Sequence, residues 1–188
     1  MAPPPRETEI KIPVEDLGPV RERLPPTGAV LAHAMARETN VLLDFGGGDL
    51  QNSGSILRLR RYGTRCTVTF KGPADYRGPI KTRVEHETEV EDLESTLEIF
   101  AALGLAPVRR YEKDREEWTG HGVSVVLDRT PMGEFVEIEG LYELLDSVAG
   151  SLGLEPHSGV RGSYLDLWES YRSKHPDKAL PKDMVFPG

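Results

Sequence analysis

The stretch RETEIKI, residues 6–12, places a charged side chain at every second position. Successive side chains of a β-strand point to opposite faces of the sheet. One face of this strand would therefore carry two carboxylates and an ammonium, from Glu7, Glu9 and Lys11. The opposite face is largely apolar, with isoleucine at two of its three positions. The stretch predicts a β-strand that separates a charged surface from an apolar one.

The same separation recurs in later stretches that have strand patterns. The further same-face charges are Arg58 and Arg60 in LRLR, Lys71 in TFKG, Arg83, Glu85 and Glu87 in RVEHE, Lys113 and Arg115 in EKDR, Asp128 after an apolar run, and Glu137 and Glu139 in VEIEG. These faces could be the wet side of an open antiparallel sheet. However, like charges two residues apart are destabilising unless counter-charges face them. A sheet closed into a barrel, with these charged side chains pointing inward, would supply those counter-charges.

The pattern along the chain predicts a mainly β (α+β) protein in which helices pack outside an antiparallel sheet. Strands are predicted at residues 7–12, 40–45, 55–61, 66–72, 81–90, 108–118, 123–128 and 135–140. Helices are predicted at 14–24, 92–104, 141–153 and 163–175, and Asp92 can cap the second of them. In the last helix Tyr164, Trp168 and Tyr171 share one face, which is typical of core packing.

Composition narrows the class of protein. The 188 residues are 38% hydrophobic, which allows a core in one domain at residues 1–175, followed by a Pro-rich tail at 176–188 that is expected to be loose. The formal net charge of −8 argues against nucleic-acid binding. The single cysteine, Cys66, excludes an internal disulfide framework. No apolar run approaches the roughly 18 residues of a membrane span, and we expect a cytoplasmic protein that contacts no membrane.

A barrel interior that carries both signs of charge suits one kind of ligand. Arginine and lysine neutralise phosphate oxygens, and arginine can do so through two parallel hydrogen bonds. Carboxylates bind Mg²⁺ or Mn²⁺, and these ions in turn bridge phosphates. A purely structural barrel would instead fill its interior with apolar side chains. The residues therefore indicate a polyphosphate and its metal as the ligand.

Taken in order, these residues resemble the CYTH superfamily, also called triphosphate tunnel metalloenzymes, which includes class IV adenylate cyclases, thiamine triphosphatases and inorganic triphosphatases. The resemblance spans residues 6–171 and rests on ETEIK, LRLR, TFKGP, RVEHE, EKDR, VLDRTPMGEFVEIEG and SYLDLW. It implies an eight-stranded antiparallel β-barrel that forms a tunnel. FKGP and VLDRTPMGEFVEIEG look most like the branch labelled class IV adenylate cyclase. One departure is Gly162, which stands where relatives often carry a basic residue, with Arg161 one position earlier.

The resemblance implies a role for each charged residue. The catalytic candidates are Lys11, Glu9 and Glu139. The metal-ligand candidates are Glu7, Glu9, Asp128, Glu137 and Glu139, whereas Glu85 and Glu87 either orient arginines or hold a second metal. The phosphate-binding candidates are Lys11, Arg58, Arg60, Lys71, Arg83, Lys113 and Arg115. The alternative is that these carboxylates and cations simply pair with one another inside the barrel.

The predicted activity is Mg²⁺- or Mn²⁺-dependent hydrolysis of a triphosphate such as ATP, tripolyphosphate or thiamine triphosphate. The closest alternative is a class IV adenylate cyclase that converts ATP to cyclic AMP and pyrophosphate, because the same charged residues serve both reactions. A third hypothesis is a non-catalytic binder of polyphosphate or nucleotide, and the five candidate metal carboxylates argue against it. The expected partner is a small molecule, and the oligomeric state is left open, with a homodimer as one option.

Overall fold

The structure is a computed structural model that describes residues 4–187. These residues form one antiparallel sheet with helices around it. The strands are β1 Arg6–Val14, β2 Val30–Phe45, β3 Ile56–Tyr62, β4 Arg65–Lys71, β5 Asp75–Arg77, β6 Ile80–Glu89, β7 Leu105–Gly120, β8 Val123–Thr130 and β9 Gly133–Gly140. The helices are α1 Gly18–Arg23, α2 Asp49–Asn52, α3 Leu93–Ala102, α4 Tyr142–Ser151 and α5 Tyr164–Lys174.

The sheet closes into a barrel because β1 pairs with a neighbour on each of its two edges. Residues 6–9 pair with β6, and residues 9–14 pair with β9. The ring therefore runs β1-β9-β8-β7-β2-β3-β4-β6 and back to β1, while β5 adds a short pairing on β6. This ring confirms the predicted closed, eight-stranded antiparallel barrel.

The apolar side chains of the barrel strands point outward and pack against helices. The strands contribute Ile10, Ile12, Leu127, Val136 and Ile138, each at most 1% exposed. Helices α1 and α4 cover this surface with Val20, Leu145 and Ala149. Burying an aliphatic side chain of this size stabilises the fold by about 1.5–3 kcal/mol. The main hydrophobic core therefore lies outside the barrel wall, which leaves the interior to charged side chains.

The four predicted helices are present, and local sequence sets their ends. Helix α1 begins at Gly18, later than predicted, with Pro19 in its first turn, where a missing N–H is harmless. Asp92 caps α3 by accepting hydrogen bonds from the backbone N–H groups of Glu94 and Ser95. Ser163 caps α5 in a reciprocal capping box. No helix within residues 4–187 has both the length and the apolar character that crossing a bilayer requires.

The largest difference from the predicted elements lies in β2, which begins at Val30 rather than at residue 40. It pairs with β7 over nearly its whole length, with irregular register between Leu31 and Ala36. The stretch VLAHAMARET lacks strict alternation of polar and apolar residues, so its own periodicity does not indicate a strand. Pairing with a long neighbouring strand supplies the missing constraint.

The C-terminal segment, residues 176–187, was expected to be loose, and this expectation was wrong. Its Met184 is 0% exposed and packs with Tyr111 and Trp168. The Met184 carbonyl accepts a hydrogen bond of 2.7 Å from the backbone N–H of Glu112, and the Trp168 indole N–H donates to a segment carbonyl at 3.1 Å. The prolines do make the segment irregular, but an irregular segment can still pack against the rest of the protein when one apolar side chain, here Met184, is buried. Gly188 lies outside the described residues.

This docking predicts a measurable contribution of Met184 to stability. Met184→Ala should lower the free energy of unfolding by about 2–5 kcal/mol, because it removes a fully buried side chain and leaves a cavity. Asp177→Ala, an exposed change in the same segment, should stay within about 0.5 kcal/mol of wild type. Urea denaturation measures both variants. Equal midpoints for the two would contradict the docking of the segment.

Candidate functional site

A cavity of about 390 Å³ lies inside the barrel and is lined by inward side chains of most of its strands. Every predicted site residue except Asp128 lines it. These residues are Glu7, Glu9, Lys11, Arg58, Arg60, Lys71, Arg83, Glu85, Glu87, Lys113, Arg115, Glu137 and Glu139. The charged side chains that alternation assigned to one face of each strand therefore do point into a common interior. Lys81, Tyr111 and Tyr164 also line the cavity, although the sequence reasoning did not propose them.

One wall of the cavity is basic and is organised around a buried carboxylate, Glu38, which the sequence reasoning missed. Glu38 is 0% exposed, and its oxygens lie 3.6 Å from both Lys113 Nζ and Arg115 Nε and 3.8 Å from Arg60 Nη1. Burial opposes its ionisation, but these cations outweigh burial and lower the pKa of Glu38 to about 2. The Asn40 amide donates to it at 2.9 Å. Glu38 thus stays ionised and holds the cations in place.

Asp128, at the end of β8, is a second buried anchor of this wall. It is 0% exposed and accepts hydrogen bonds from Lys113 at 2.9 Å, from Arg115 at 2.7 and 2.8 Å, and from the Tyr164 hydroxyl at 2.7 Å. Both of its oxygens are therefore engaged by protein donors. In this arrangement Asp128 orients the basic residues, and a role as metal ligand stays a prediction.

Tyr164, the first residue of α5, brings an aromatic ring into the interior instead of serving only as core. The Nζ atoms of Lys11 and Lys113 lie 4.3 and 4.7 Å from its ring centroid, which is cation–π distance. Lys11 also pairs with Glu137 at 3.0 Å. Burial opposes the charge on Lys11, yet Glu137 and Glu9 raise its pKa above the ordinary value. Lys11 is consequently a permanent cation inside the barrel.

The opposite wall is acidic. Glu9 and Glu139 are paired positions of β1 and β9, and Glu7 lies two residues along on the same face. Lys71 pairs with Glu7 at 2.8 Å, and Lys81 pairs with Glu9. Glu139 forms no salt bridge within residues 4–187. Its carboxylate faces the water-accessible interior, yet desolvation and the charges of Glu7 and Glu9 raise its pKa to about 8.

The two walls face each other across the ring. Strands β3 and β9 are separated by three strands on either side, so Arg58 and Arg60 lie opposite Glu139. Burial and the neighbouring charge of Arg58 lower the pKa of Arg60, although Arg60 pairs with Glu87 at 2.9 Å. The shifted pKa values of Arg60 and Glu139 both report charge that the protein does not fully compensate. An anion at the basic wall and a cation at the acidic wall would compensate them.

The remaining predicted residues divide between the cavity and protein contacts. The Arg83 guanidinium donates two hydrogen bonds, of 2.6 and 2.9 Å, to the Gly72 carbonyl. Glu85 pairs with a lysine, Lys71, at 2.8 Å, and Glu87 pairs with an arginine, Arg60. The choice between orienting arginines and holding a second metal stays a prediction for both. Arg161, beside Gly162, does not line the cavity. Its guanidinium instead lies 4.6 Å from the Tyr76 ring centroid.

Within residues 4–187, no three metal-ligating side chains stand close enough together to form a ready-made metal site. Glu7, Glu9 and Glu139 nevertheless fit a hard divalent cation by their chemistry. All three are oxygen donors on one wall, and the raised pKa of Glu139 reports negative charge in excess there. Lysine ammonium groups hold Glu7 and Glu9 in this structure.

A closed antiparallel barrel whose interior is lined by opposed cationic and anionic side chains defines a tunnel fold. The chain belongs to the CYTH domain family, whose model matches residues 5–153. A Methanocaldococcus jannaschii protein provisionally named an adenylate cyclase is 27% identical over 172 residues, which cover 86% of this chain and 97% of that protein.

Solved structures share the fold. A Vibrio parahaemolyticus protein, also provisionally named an adenylate cyclase, has a TM-score of 0.80 at 17% identity and covers 89% of this chain and 99% of its own. A Hippeastrum protein provisionally named an adenylyl cyclase has a TM-score of 0.61 at 18% identity and covers 95% of this chain and 99% of its own. At these identities the likeness concerns the fold.

The raised pKa of Glu139 predicts a pH-dependent stability. Without metal, the folded protein keeps a proton on Glu139 that the unfolded chain releases near pH 4.5, so stability falls as pH rises from about 4.5 to about 8. Glu139→Gln removes this loss. In chelator-treated samples, its melting temperature relative to wild type should therefore rise across that pH range and level off above it.

A matched control is Glu91→Gln, which neutralises an exposed carboxylate outside the barrel. Its melting-temperature difference from wild type should not follow the same pH course. If the difference for Glu139→Gln were constant between pH 5 and 9, the proposed crowding of carboxylates at Glu139 would be wrong.

Proposed function

We propose that this protein is a divalent-metal-dependent phosphohydrolase that cleaves a nucleoside or inorganic triphosphate inside its barrel. The observation that carries the proposal is that a single cavity is lined on one wall by cations, among them Arg58 and Arg60, and on the facing wall by carboxylates, among them Glu9 and Glu139. A polyphosphate accompanied by a divalent cation satisfies both walls at once. A protein that bound phosphate alone would need only the basic wall.

The basic wall would hold the phosphates. Arg58, Arg60, Lys113 and Arg115 present donors to the cavity, and their positions are fixed from behind by Glu38 and Asp128. The buried Nε of Arg58 has no hydrogen-bond partner within the described part of the chain. An unsatisfied buried donor costs about 1–3 kcal/mol. The hydrogen bonds that Arg58 does make, both of 3.2 Å, go to the Tyr111 and Thr69 hydroxyls, so an anion in the cavity would offer its guanidinium a stronger acceptor.

Glu7, Glu9 and Glu139 are the residues that would hold Mg²⁺ or Mn²⁺. When bound there, the ion would neutralise charge on the phosphate oxygens. Glu137 and Asp128, the other two predicted ligands, pair with Arg115 as well as with lysines, so we assign them to orienting the cations of the basic wall. Glu7 and Glu9 pair with lysines alone, which a metal ion would displace. This division leaves three carboxylates for the metal.

In the proposed reaction a water oxygen forms a bond to the terminal phosphorus while the bond to the bridging oxygen breaks, which releases phosphate and leaves a diphosphate. Negative charge spreads over the transferred group, and the guanidinium groups of Arg58 and Arg60 stabilise it. Lys11 contributes as a permanent cation and not as a base, because its pKa is raised. Glu9, which lines the cavity 4.0 Å from Lys11, would accept a hydrogen bond from the attacking water.

Cyclisation of ATP is the second candidate, favoured by the name of the Methanocaldococcus jannaschii relative. In that reaction the ribose 3′-hydroxyl attacks the α-phosphorus and pyrophosphate leaves. The charged residues would serve both reactions, but cyclisation also requires the ribose to be held in line, a positioning contribution of several kcal/mol or more. The Hippeastrum protein is described as having a dominant triphosphatase activity. We therefore place hydrolysis first.

Product analysis tests the proposal. ATP, tripolyphosphate and thiamine triphosphate are incubated with the protein and Mg²⁺ or Mn²⁺, and the products are identified by mass. We expect release of phosphate that stops when chelator is added. Glu9→Gln should reduce turnover by about 100-fold or more, whereas Glu15→Gln, at an exposed position just after the same strand, should not. Cyclic AMP as the main product would establish the second candidate, and no turnover of any triphosphate would leave a binding protein.

The phosphate role of Arg60 gives a separate prediction. Arg60→Ala should raise KM for a triphosphate by about tenfold or more and raise the inhibition constant of the diphosphate product by less, because a charge-assisted hydrogen bond to the distal phosphate is lost. Arg61→Ala is the matched control, since Arg61 is exposed and pairs with Glu94 outside the barrel. Equal losses for both ligands would place Arg60 away from the distal phosphate.

A further inference from the structure

Lys81 is a cavity residue to which the proposed function gives no role. It stands directly opposite Glu9 on the neighbouring strand, and its ammonium group pairs with that carboxylate. Its side chain lines the cavity and is only 10% exposed. Among residues 4–187, Glu9 is the only carboxylate that pairs with Lys81. The charge of Lys81 is therefore balanced by a carboxylate that the proposed metal ion also needs.

Two other lysines that contact the acidic wall each have a carboxylate partner outside the three residues assigned to the metal. Lys71 pairs with Glu85 at 2.8 Å, and Lys11 pairs with Glu137 at 3.0 Å. Binding of a metal ion at the acidic wall would leave both of these ion pairs in place. Lys81 differs from them because the same event would remove its counter-charge.

A divalent cation at Glu9 would release the Lys81 ammonium group inside the barrel. An unpaired charge in a protein interior is strongly unfavourable. Lysine can respond by moving, because its ammonium group is a compact charge at the end of a flexible four-carbon stem. The oxygens of a polyphosphate would supply a new counter-charge, since Lys81 lines the cavity that the phosphates would occupy.

We propose that Lys81 changes partners during binding: when Glu9 binds the metal ion, the released Lys81 ammonium group binds a phosphate oxygen. This inference rests on the proposed function, which places the phosphates in the cavity and the metal ion at Glu7, Glu9 and Glu139. The exchange makes the two ligands depend on each other. A metal ion alone leaves Lys81 unpaired, and a polyphosphate alone leaves Glu9 unpaired if it draws Lys81 away. The complex of the two leaves neither residue unpaired.

Removal of the Lys81 charge tests the exchange through binding alone. Lys81→Met keeps an unbranched side chain without the ammonium group. Calorimetric titration measures the affinity for Mn²⁺ alone and for the complex of Mn²⁺ with imidotriphosphate, a non-hydrolysable analogue. We expect Mn²⁺ alone to bind Lys81→Met about tenfold or more tightly than wild type, because Glu9 no longer has a competing partner. The affinity for the complex should stay within about threefold of wild type, because the lost phosphate contact offsets the gain at Glu9.

The matched control is Lys113→Met, which removes the same charge from the basic wall, where Lys113 pairs with Asp128. Its affinity for Mn²⁺ alone should stay within about threefold of wild type, because the effect of a charge weakens with distance. Its affinity for the complex should fall about tenfold or more, because a cation that contacts phosphate is lost.

Three results would overturn the exchange. Unchanged affinity of Lys81→Met for Mn²⁺ alone would mean that Lys81 does not compete for Glu9. Equal tightening for Mn²⁺ and for the complex would mean that Lys81 never reaches a phosphate. Equal tightening of Mn²⁺ binding in Lys113→Met would reduce the effect to the total charge of the cavity.

A second variant keeps the test decisive should Lys81→Met fail to fold by circular dichroism. Lys81→Arg keeps the charge but can hold a carboxylate through two parallel hydrogen bonds, so it should release Glu9 less readily. We expect about tenfold weaker binding both of Mn²⁺ alone and of the complex. Wild-type affinities in Lys81→Arg would refute the exchange.

These titrations need no turnover, so they separate the exchange from the proposed reaction. Hydrolysis of a triphosphate without the selective tightening of Mn²⁺ binding would leave the phosphohydrolase and refute the exchange. Selective tightening in a protein that turns over no triphosphate would support the exchange and refute the hydrolysis. Wild-type protein that binds neither Mn²⁺ nor its imidotriphosphate complex would refute both.

Discussion

Ionised groups taken out of water need counter-charges, and this requirement organises the whole barrel. A charge moved into a protein interior is penalised by several kcal/mol unless oppositely charged or hydrogen-bonding groups surround it. Glu38 and Asp128, both fully buried, meet the requirement for Lys113 and Arg115 on the basic side. Because these ion pairs balance the charges on the inner face of the barrel, the apolar outer face is free to pack against the helices. The cavity that remains between these basic residues and the carboxylates of Glu9 and Glu139 has room for a ligand.

Alternation in the sequence predicted most of this interior for two reasons. Alternate side chains of a strand point to the same face, and in a closed barrel one face of every strand points into the same interior. The charged positions of β1, β3, β7 and β9 all reached the cavity for that reason. Lys81 escaped notice although it shares the parity of Arg83 in the same strand, so the signal was present. Glu38 carried no comparable signal. Its stretch of β2 does not alternate, and only pairing with β3 and β7 places it among the cations.

Two other features of the structure have a common physical origin. The family resemblance grouped Asp128 with the metal ligands, and that role stays a prediction, but the sequence did not indicate that three protein side chains donate to this carboxylate. The C-terminal segment was judged by its prolines, but its position depends on the buried contact of Met184. In both cases the deciding partner is far away in sequence, and local composition does not contain it.

The pairing of β1 with both β6 and β9 has a consequence for how the chain is made. Translation produces Glu7, Glu9 and Lys11 first, yet their partners Lys71, Lys81 and Glu137 are synthesised later, and the ring closes only once residue 140 has left the ribosome. The first strand has two unpaired edges until β6 is made, and one edge stays unpaired until β9 follows. Contacts of such long sequence separation slow folding, and exposed strand edges favour association with other chains. The strand that closes the ring is therefore the one that waits longest for its neighbours.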